Sequence, residues 1–287
     1  MDAGKNSGTK KQDGFRKILV LVAAINAVTM MACSRPATQG SINSGLDGDL
    51  SSQAGIIGGT DADGTEEFAP TVALLYDRAG RFLCTTSILS ESLLVTAAHC
   101  LKNPAENLVL VFGTHINAPN RELRDVAAYA VSPLWAFRQD EMRNAGDIAM
   151  VKFSGGLPSG YKPAELLTDV AALQDGGTVL LAGYGQSNAV AKSGSGQLRY
   201  VEVNILDRQF SETEVTLDQT QGRGACHGDS GGPAYVRVNG RLMLWGVTNR
   251  GIEVRPGPHC DETAVYASIP AYSQWLNQTA QQLALVQ

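Results

Sequence analysis

The chain has 287 residues, 44% of them hydrophobic, enough for one large domain or two small ones with real cores. A formal net charge of −5 argues against general nucleic-acid binding, which favours basic faces, and no nucleic-acid partner is expected.

The N-terminus reads as an export signal over residues 1–33. Lys10, Lys11, Arg16 and Lys17 precede an apolar run from Ile18 to Met31, and the small residues Ala32, Cys33 and Ser34 follow. The run is shorter than the ~20 residues that span a bilayer comfortably. Met30-Met31-Ala32-Cys33 resembles a bacterial lipobox, which implies lipidation of Cys33 and anchorage at the bacterial cell envelope. Ordinary cleavage near Ala32 to Ser34 is the alternative, and it would release a secreted, soluble protein. Of the five cysteines, setting Cys33 aside leaves four, an even set able to form two bridges in an oxidising compartment. Residues 34–55 are rich in Ser, Gly, Asn, Gln and Asp and bury too little to order, which predicts a flexible tether or propeptide.

From Ile56 onward short β-rich runs recur between turn residues. They are Thr71 to Tyr76, Ser87 to Leu89, Leu93 to Thr96, Leu108 to Phe112, Ile148 to Phe153 and Thr178 to Ala182. Further runs are Tyr200 to Leu206, Ala234 to Val238, Leu242 to Thr248 and Ala264 to Ile269. Many short, closely spaced strands predict an all-β sandwich or barrel. Only Ala271 to Val286 reads as helical, with an apolar face from Tyr272, Trp275, Leu276 and Leu283.

Three segments carry chemistry. In Gly228-Asp229-Ser230-Gly231-Gly232-Pro233, glycines let the backbone bend sharply and bring N–H groups toward a substrate oxygen. The serine hydroxyl needs a neighbouring base to become a nucleophile. Thr96-Ala97-Ala98-His99-Cys100 supplies a histidine; taken alone, it reads better as a core histidine or half of a metal pair than as a catalytic base. A metal site is not expected, because no HExxH or CxxC stands in the chain. Asp147 opens the apolar run Ile148 to Phe153, where a buried acid is costly unless a donor meets it.

In the order His99, Asp147, Ser230, with separations of 48 and 83 residues, these segments resemble the chymotrypsin/trypsin-fold serine peptidases. The resemblance implies two six-stranded antiparallel β-barrels with a C-terminal α-helix over residues 56–287. It implies a serine endopeptidase working through a triad and an acyl-enzyme, with the Gly228 and Ser230 N–H groups as oxyanion hole. Polypeptide substrates, a monomer, and no metal or organic cofactor are expected. Thr114 stands where some relatives place the first carboxylate of a calcium loop.

Other stretches extend the likeness. Ile56-Ile57-Gly58-Gly59 resembles the mature N-terminus that relatives expose by proteolysis, whose amino group would pair with Asp229. Cys84 with Cys100, and Cys226 with Cys260, match two family bridges, and Gly183-Tyr184-Gly185 matches the Gly-Trp-Gly segment. The sequence also departs from the pattern. Gly55 precedes Ile56, so a trypsin-like activating protease would not cut there; either another activating protease, or the protein itself, cuts after the small residues of Gln53-Ala54-Gly55, or the chain works differently from its relatives. Phe210 to Ala225 is short and polar, and no cysteines supply the third bridge. The pocket-floor position that is aspartate in trypsin falls on Gly224, with Gly251 and Ala264 on the walls. That pattern implies an apolar residue at the cut site rather than Lys or Arg, unless Glu253, Asp261 or Glu262 reaches the pocket. Asn249-Arg250-Gly251 stands where the family usually has Ser-Trp-Gly in the substrate-binding strand, and Arg250 is expected either to give some tolerance for acidic residues upstream of the cut or to be an ordinary surface charge. His227 and His259 are expected at the pocket rim without a catalytic role.

Overall fold

The computed structural model describes residues 56–286 apart from 253, 254, 256 and 258. The expected export signal with Cys33, and the tether over 34–55, lie outside the described residues.

The first barrel is built from β2 (Val72–Asp77), β3 (Phe82–Ile88), β4 (Leu93–Thr96), β5 (Leu108–Phe112), β6 (Glu122–Val131) and β7 (Ala149–Phe153). These strands close in the order β2-β3-β4-β7-β6-β5, every pairing antiparallel. The second barrel comprises β8 (Thr178–Gly183), β9 (Arg199–Asp207), β10 (Glu214–Asp218), β11 (Pro233–Val238), β12 (Arg241–Ile252) and β13 (Thr263–Ser268). Its order is β9-β10-β13-β12-β11-β8, and a β8–β9 pairing closes it. The two-residue strand β1 (Thr60–Asp61) attaches to β9 from outside. Closure removes the open sheet edges that would otherwise invite aggregation.

Side chains alternate across each strand with period two, and the barrels use both faces. In β2, Ala73 and Leu75 point into the first barrel with Leu94, Leu110 and Phe153. Val72, Leu74 and Tyr76 point the other way, into a cluster shared with Tyr184, Tyr235 and Val247 of the second barrel. The second barrel has its own interior around Val203, Leu217, Trp245 and Tyr266. Each fully buried Leu, Val or Phe contributes ~1.5–3 kcal/mol, so the shared cluster fixes the relative placement of the barrels. A hydrogen bond between Thr71 Oγ1 and the Tyr235 hydroxyl, 2.6 Å, adds a polar stitch across the seam.

A short helix α1 (Trp135–Arg138) precedes the Asp147 segment, and α2 (Ser273–Ala284) closes the chain. Leu276 and Leu283 of α2 pack into the shared cluster. The Lys152 ammonium donates to the carbonyls of Leu283, at 3.0 Å, and Val286, placing a cation at the negative end of the helix dipole.

Two barrel strands, β6 and β10, have no counterpart among the runs read from the sequence, and β3 begins five residues before its run. β6 begins Glu122-Leu123-Arg124-Asp125 and continues through alanines, a composition with little β signal. β10 lies inside the polar stretch Phe210 to Ala225. Both strands owe their state to neighbours on either side of a closed barrel.

Candidate active site

His99 sits on a one-turn 3-10 segment, Ala98–Cys100, directly after β4. Asp147 lies two residues before β7. β4 and β7 are antiparallel partners with Thr96 opposite Ala149, so the end of one strand and the start of the other share an edge. The Asp147 carboxylate grips the histidine twice. Its Oδ2 lies 2.7 Å from His99 Nδ1, and its Oδ1 accepts the His99 backbone N–H at 2.9 Å. The Asp147 side chain is 4% exposed and that of His99 27%, so the acid is sealed while the imidazole still meets solvent. Behind them Asn249 is buried, its amide nitrogen donating to the Asp147 backbone carbonyl at 2.9 Å and to Val247 at 3.1 Å. The Trp135 ring stands 6.4 Å from the imidazole.

The Ser230 segment is held by both barrels. Thr85 of β3 donates its N–H to the Ser230 carbonyl at 2.8 Å and its hydroxyl to the Gly228 carbonyl at 3.0 Å. The sulfur of Cys100, next to His99, lies 3.7 Å from the same Ser230 oxygen. Disulfides join Cys84 to Cys100 and Cys226 to Cys260, bracing the histidine and the serine loop respectively. Along this loop the N–H groups alternate. Those of Asp229 and Gly231 are bonded to Cys226 and Thr248 carbonyls, whereas those of Gly228 and Ser230 take no partner among the described residues.

Asp229 points away from the cleft, 1% exposed. Its carboxylate accepts the N–H groups of Gly185 at 2.7 Å and Cys226 at 2.8 Å. The glycines of Gly183-Tyr184-Gly185 have a steric cause: a Cβ on either would fall within 2.5 Å of the Asp229 carboxyl group. Burial pushes the Asp229 pKa up to about 7, against the lowering effect of those two N–H bonds and of Arg199. Ile56 is buried, and Ile57 exchanges two 3.0 Å backbone hydrogen bonds with Gly224.

The positions expected to form the pocket partly converge. Gly251 and Ala264 are direct cross-strand partners in β12 and β13. Gly224 lies on the loop that Ile57 pairs with, and a Cβ there would meet the Gln219 side chain at 2.2 Å. Gln219 was missed by sequence reasoning, which saw only a polar stretch. It is buried, donating to the carbonyls of Ala225 and Cys260 and accepting from the Ala225 N–H. Asp261 and Glu262 are engaged by Arg255, at 2.5 and 2.8 Å, and Glu253 lies outside the described residues.

The expectation for Arg250 is corrected. Its guanidinium forms a two-pronged pair with Glu214, at 2.7 and 3.2 Å, and donates to the Met142 carbonyl at 2.7 Å. The cation is already neutralised, so it offers no unpaired charge to an acidic substrate residue. Two groupings bring histidine near sulfur, His99 with Cys84 and Cys100, and His227 with Cys226 and Cys260. In both the cysteines are joined as disulfides, which removes the thiolates a metal would need.

Two closed six-stranded barrels, with a sealed Asp–His pair and a glycine-flanked serine loop where they meet, define the chymotrypsin fold. The sequence model described as Trypsin matches residues 56–276. The chain is 29% identical to trypsin alpha of Drosophila erecta over 286 residues, covering 92% of this chain and 98% of that protein. It is 28% identical to hypodermin-A of Hypoderma lineatum over 232 residues, covering 75% of this chain and 86% of that one. The chain belongs to the trypsin family and is a serine-type endopeptidase. These relatives are insect proteins and lend no support to the bacterial origin that a lipobox implies. The two disulfides suit an oxidising, extracellular setting.

Proposed function

We propose that this endopeptidase cuts peptide bonds with His99, Asp147 and Ser230 as its working triad. Ser230 Oγ attacks the scissile carbonyl while His99 takes its proton and then passes it to the leaving amine. Asp147 holds the imidazole Nδ1–H and stabilises the imidazolium. The free N–H groups of Gly228 and Ser230 receive the oxyanion, each such donor contributing ~3–4 kcal/mol at the transition state. Water then hydrolyses the acyl-enzyme. The observation that carries this reading is the 2.7 Å contact between His99 Nδ1 and the sealed Asp147 carboxylate.

The same reading assigns an apolar side chain to the residue before the cut. Gly224, Gly251 and Ala264 bring no charge, and the nearby described acids are tied to Arg255. Cleavage before Ile56, by a protease that accepts Gly55, frees an amino group to meet Asp229; the burial of Ile56, and the pairing of Ile57 with Gly224 on the loop whose Cys226 N–H donates to Asp229, support this activation. The segment Met30-Met31-Ala32-Cys33 supports lipid attachment at Cys33; the other reading is ordinary cleavage near Ala32 to Ser34, which releases a secreted protein.

Incubating the cut protein with a proteome-derived peptide library tests the proposal. Cleavage after Phe, Tyr, Leu or Met, abolished in both His99→Ala and Ser230→Ala, is expected. Cleavage that survives either substitution, or that follows Lys and Arg, would refute the corresponding part. Mass spectrometry of the exported protein settles the anchor: a diacylglycerol-sized addition on Cys33 is expected, and an unmodified or missing Cys33 refutes it.

A further inference from the structure

Asp147 belongs to neither barrel's regular strands. It stands near the end of the segment between α1 and β7; on its C-terminal side the Ile148 carbonyl accepts the Ser132 N–H within the first barrel, while residues 142–145 before it need an anchorage of their own. That anchorage comes from the second barrel and centres on Glu214, the first residue of β10, whose side chain is 1% exposed.

The Glu214 carboxylate gathers donors from three places. Arg250 of β12 approaches it with two nitrogens. The backbone N–H groups of Asn144 and Ala145 donate to it at 2.7 and 3.3 Å. The Ser211 hydroxyl stands 3.4 Å away. Arg250 in turn donates to the Met142 carbonyl. Asn144 has a left-handed backbone, φ 54°, and its side-chain oxygen accepts the N–H and hydroxyl of Thr213 at 3.1 and 2.8 Å. Three residues later comes Asp147, whose backbone carbonyl receives the amide of Asn249, the neighbour of Arg250. The chain from Met142 to Asp147 is thus bound to the opposite barrel at both of its ends.

An ion pair in this setting is a poor source of stability, because desolvation of both charges offsets their attraction. What it supplies is direction: a planar guanidinium and a two-oxygen acceptor fix each other's orientation. A His–Asp contact of hydrogen-bond length tolerates misplacement of only ~0.5 Å.

We propose that Glu214 and Arg250 are paired positioning residues, which hold residues 142–146 on the second barrel and so set the register of Asp147 against His99. The assignment rests on the triad reading above. It is distinct from specificity, since the pair faces the chain before Asp147 and its charge is internally satisfied.

The test compares wild type, Glu214→Gln, Arg250→Met and Arg250→Lys in the activated full chain, with rates per folded molecule. Glu214→Gln and Arg250→Met are expected to lower kcat ~10–100-fold with KM changed less than about twofold, the signature of a displaced proton-handling group. Arg250→Lys, which keeps the charge, should recover part of the loss. The His99 Nδ1–H proton resonance should shift or broaden in the first two variants. Wild-type kcat together with an unmoved resonance in Glu214→Gln would overturn the proposal. If that variant does not fold, the same result in Arg250→Met overturns it. Should wild type itself hydrolyse nothing, the triad reading fails, yet the resonance comparison still decides whether this pair positions Asp147.

Discussion

Replacing Asp229 with asparagine removes a buried group whose proton affinity differs strongly between folded and unfolded chain. In the uncut chain Ile56 carries no free amino group, and burial raises the Asp229 carboxyl from 3.8 to about 7. About three pH units at ~1.36 kcal/mol each amount to ~4 kcal/mol of pH-dependent stability. The sign follows from where the proton sits. Below the unfolded pKa both states hold it and the contribution is fully present. As pH rises toward 7 the unfolded state releases its proton and the folded state does not, so stability is progressively lost. Above pH 7 the loss is complete. The asparagine of the variant cannot ionise, and its NH2 would face one of the two N–H donors now bonded to the carboxylate, costing ~1–3 kcal/mol at every pH. Urea unfolding of the uncut protein between about pH 4 and pH 8 measures both effects. Wild type should exceed the variant at low pH, and the difference should shrink or reverse by pH 8. Parallel curves across that range would refute the assignment of a proton to buried Asp229. In protein cut before Ile56, a new ammonium beside Asp229 lowers its pKa, and the fall with pH should diminish.

Two further substitutions test the geometry around that group and the pocket. Gly185→Ala places a methyl 2.5 Å from the Asp229 carboxyl, and it should lower stability by ~1–3 kcal/mol, read as a fall in Tm; an unchanged Tm would contradict the packing described. Gly224→Asp restores the acid that trypsin carries at this position, yet the new Cβ would collide with Gln219 at 2.2 Å. It should destabilise the protein without conferring cleavage after Lys or Arg, and a stable variant with that specificity would show that Gln219 does not fill the floor.

How much of this is legible in the sequence depends on where the signal resides. β4 and β5 follow the runs Leu93 to Thr96 and Leu108 to Phe112 because apolar, β-branched residues there are buried on both faces. α2 is visible from the spacing of Leu276 and Leu283. β10 is hidden because Glu214 and Asp218 flank its apolar centre. A glutamate at a strand start reads as surface until Arg250 and the Asn144 backbone, remote in sequence, are seen to meet it. Arg250 misleads for the same reason: the sequence displays its charge and conceals its partner. Gln219 leaves no trace, since one amide in a polar stretch looks like any other. The segments around His99, Asp147 and Ser230 are legible because three short motifs stand in the order and at the separations of a known family; His99 or Asp147 alone reads as a core histidine or a turn acid. The approach of Asp147 to His99 depends on barrel closure and on the β4–β7 pairing.

Labelling with a fluorophosphonate probe, followed by peptide mapping, addresses the central chemistry most directly. One adduct per chain, on Ser230, in protein cut before Ile56 and absent from His99→Ala is the expected result. A folded protein that takes no label in either the uncut or the cut form, or that is labelled equally without the histidine, would contradict it.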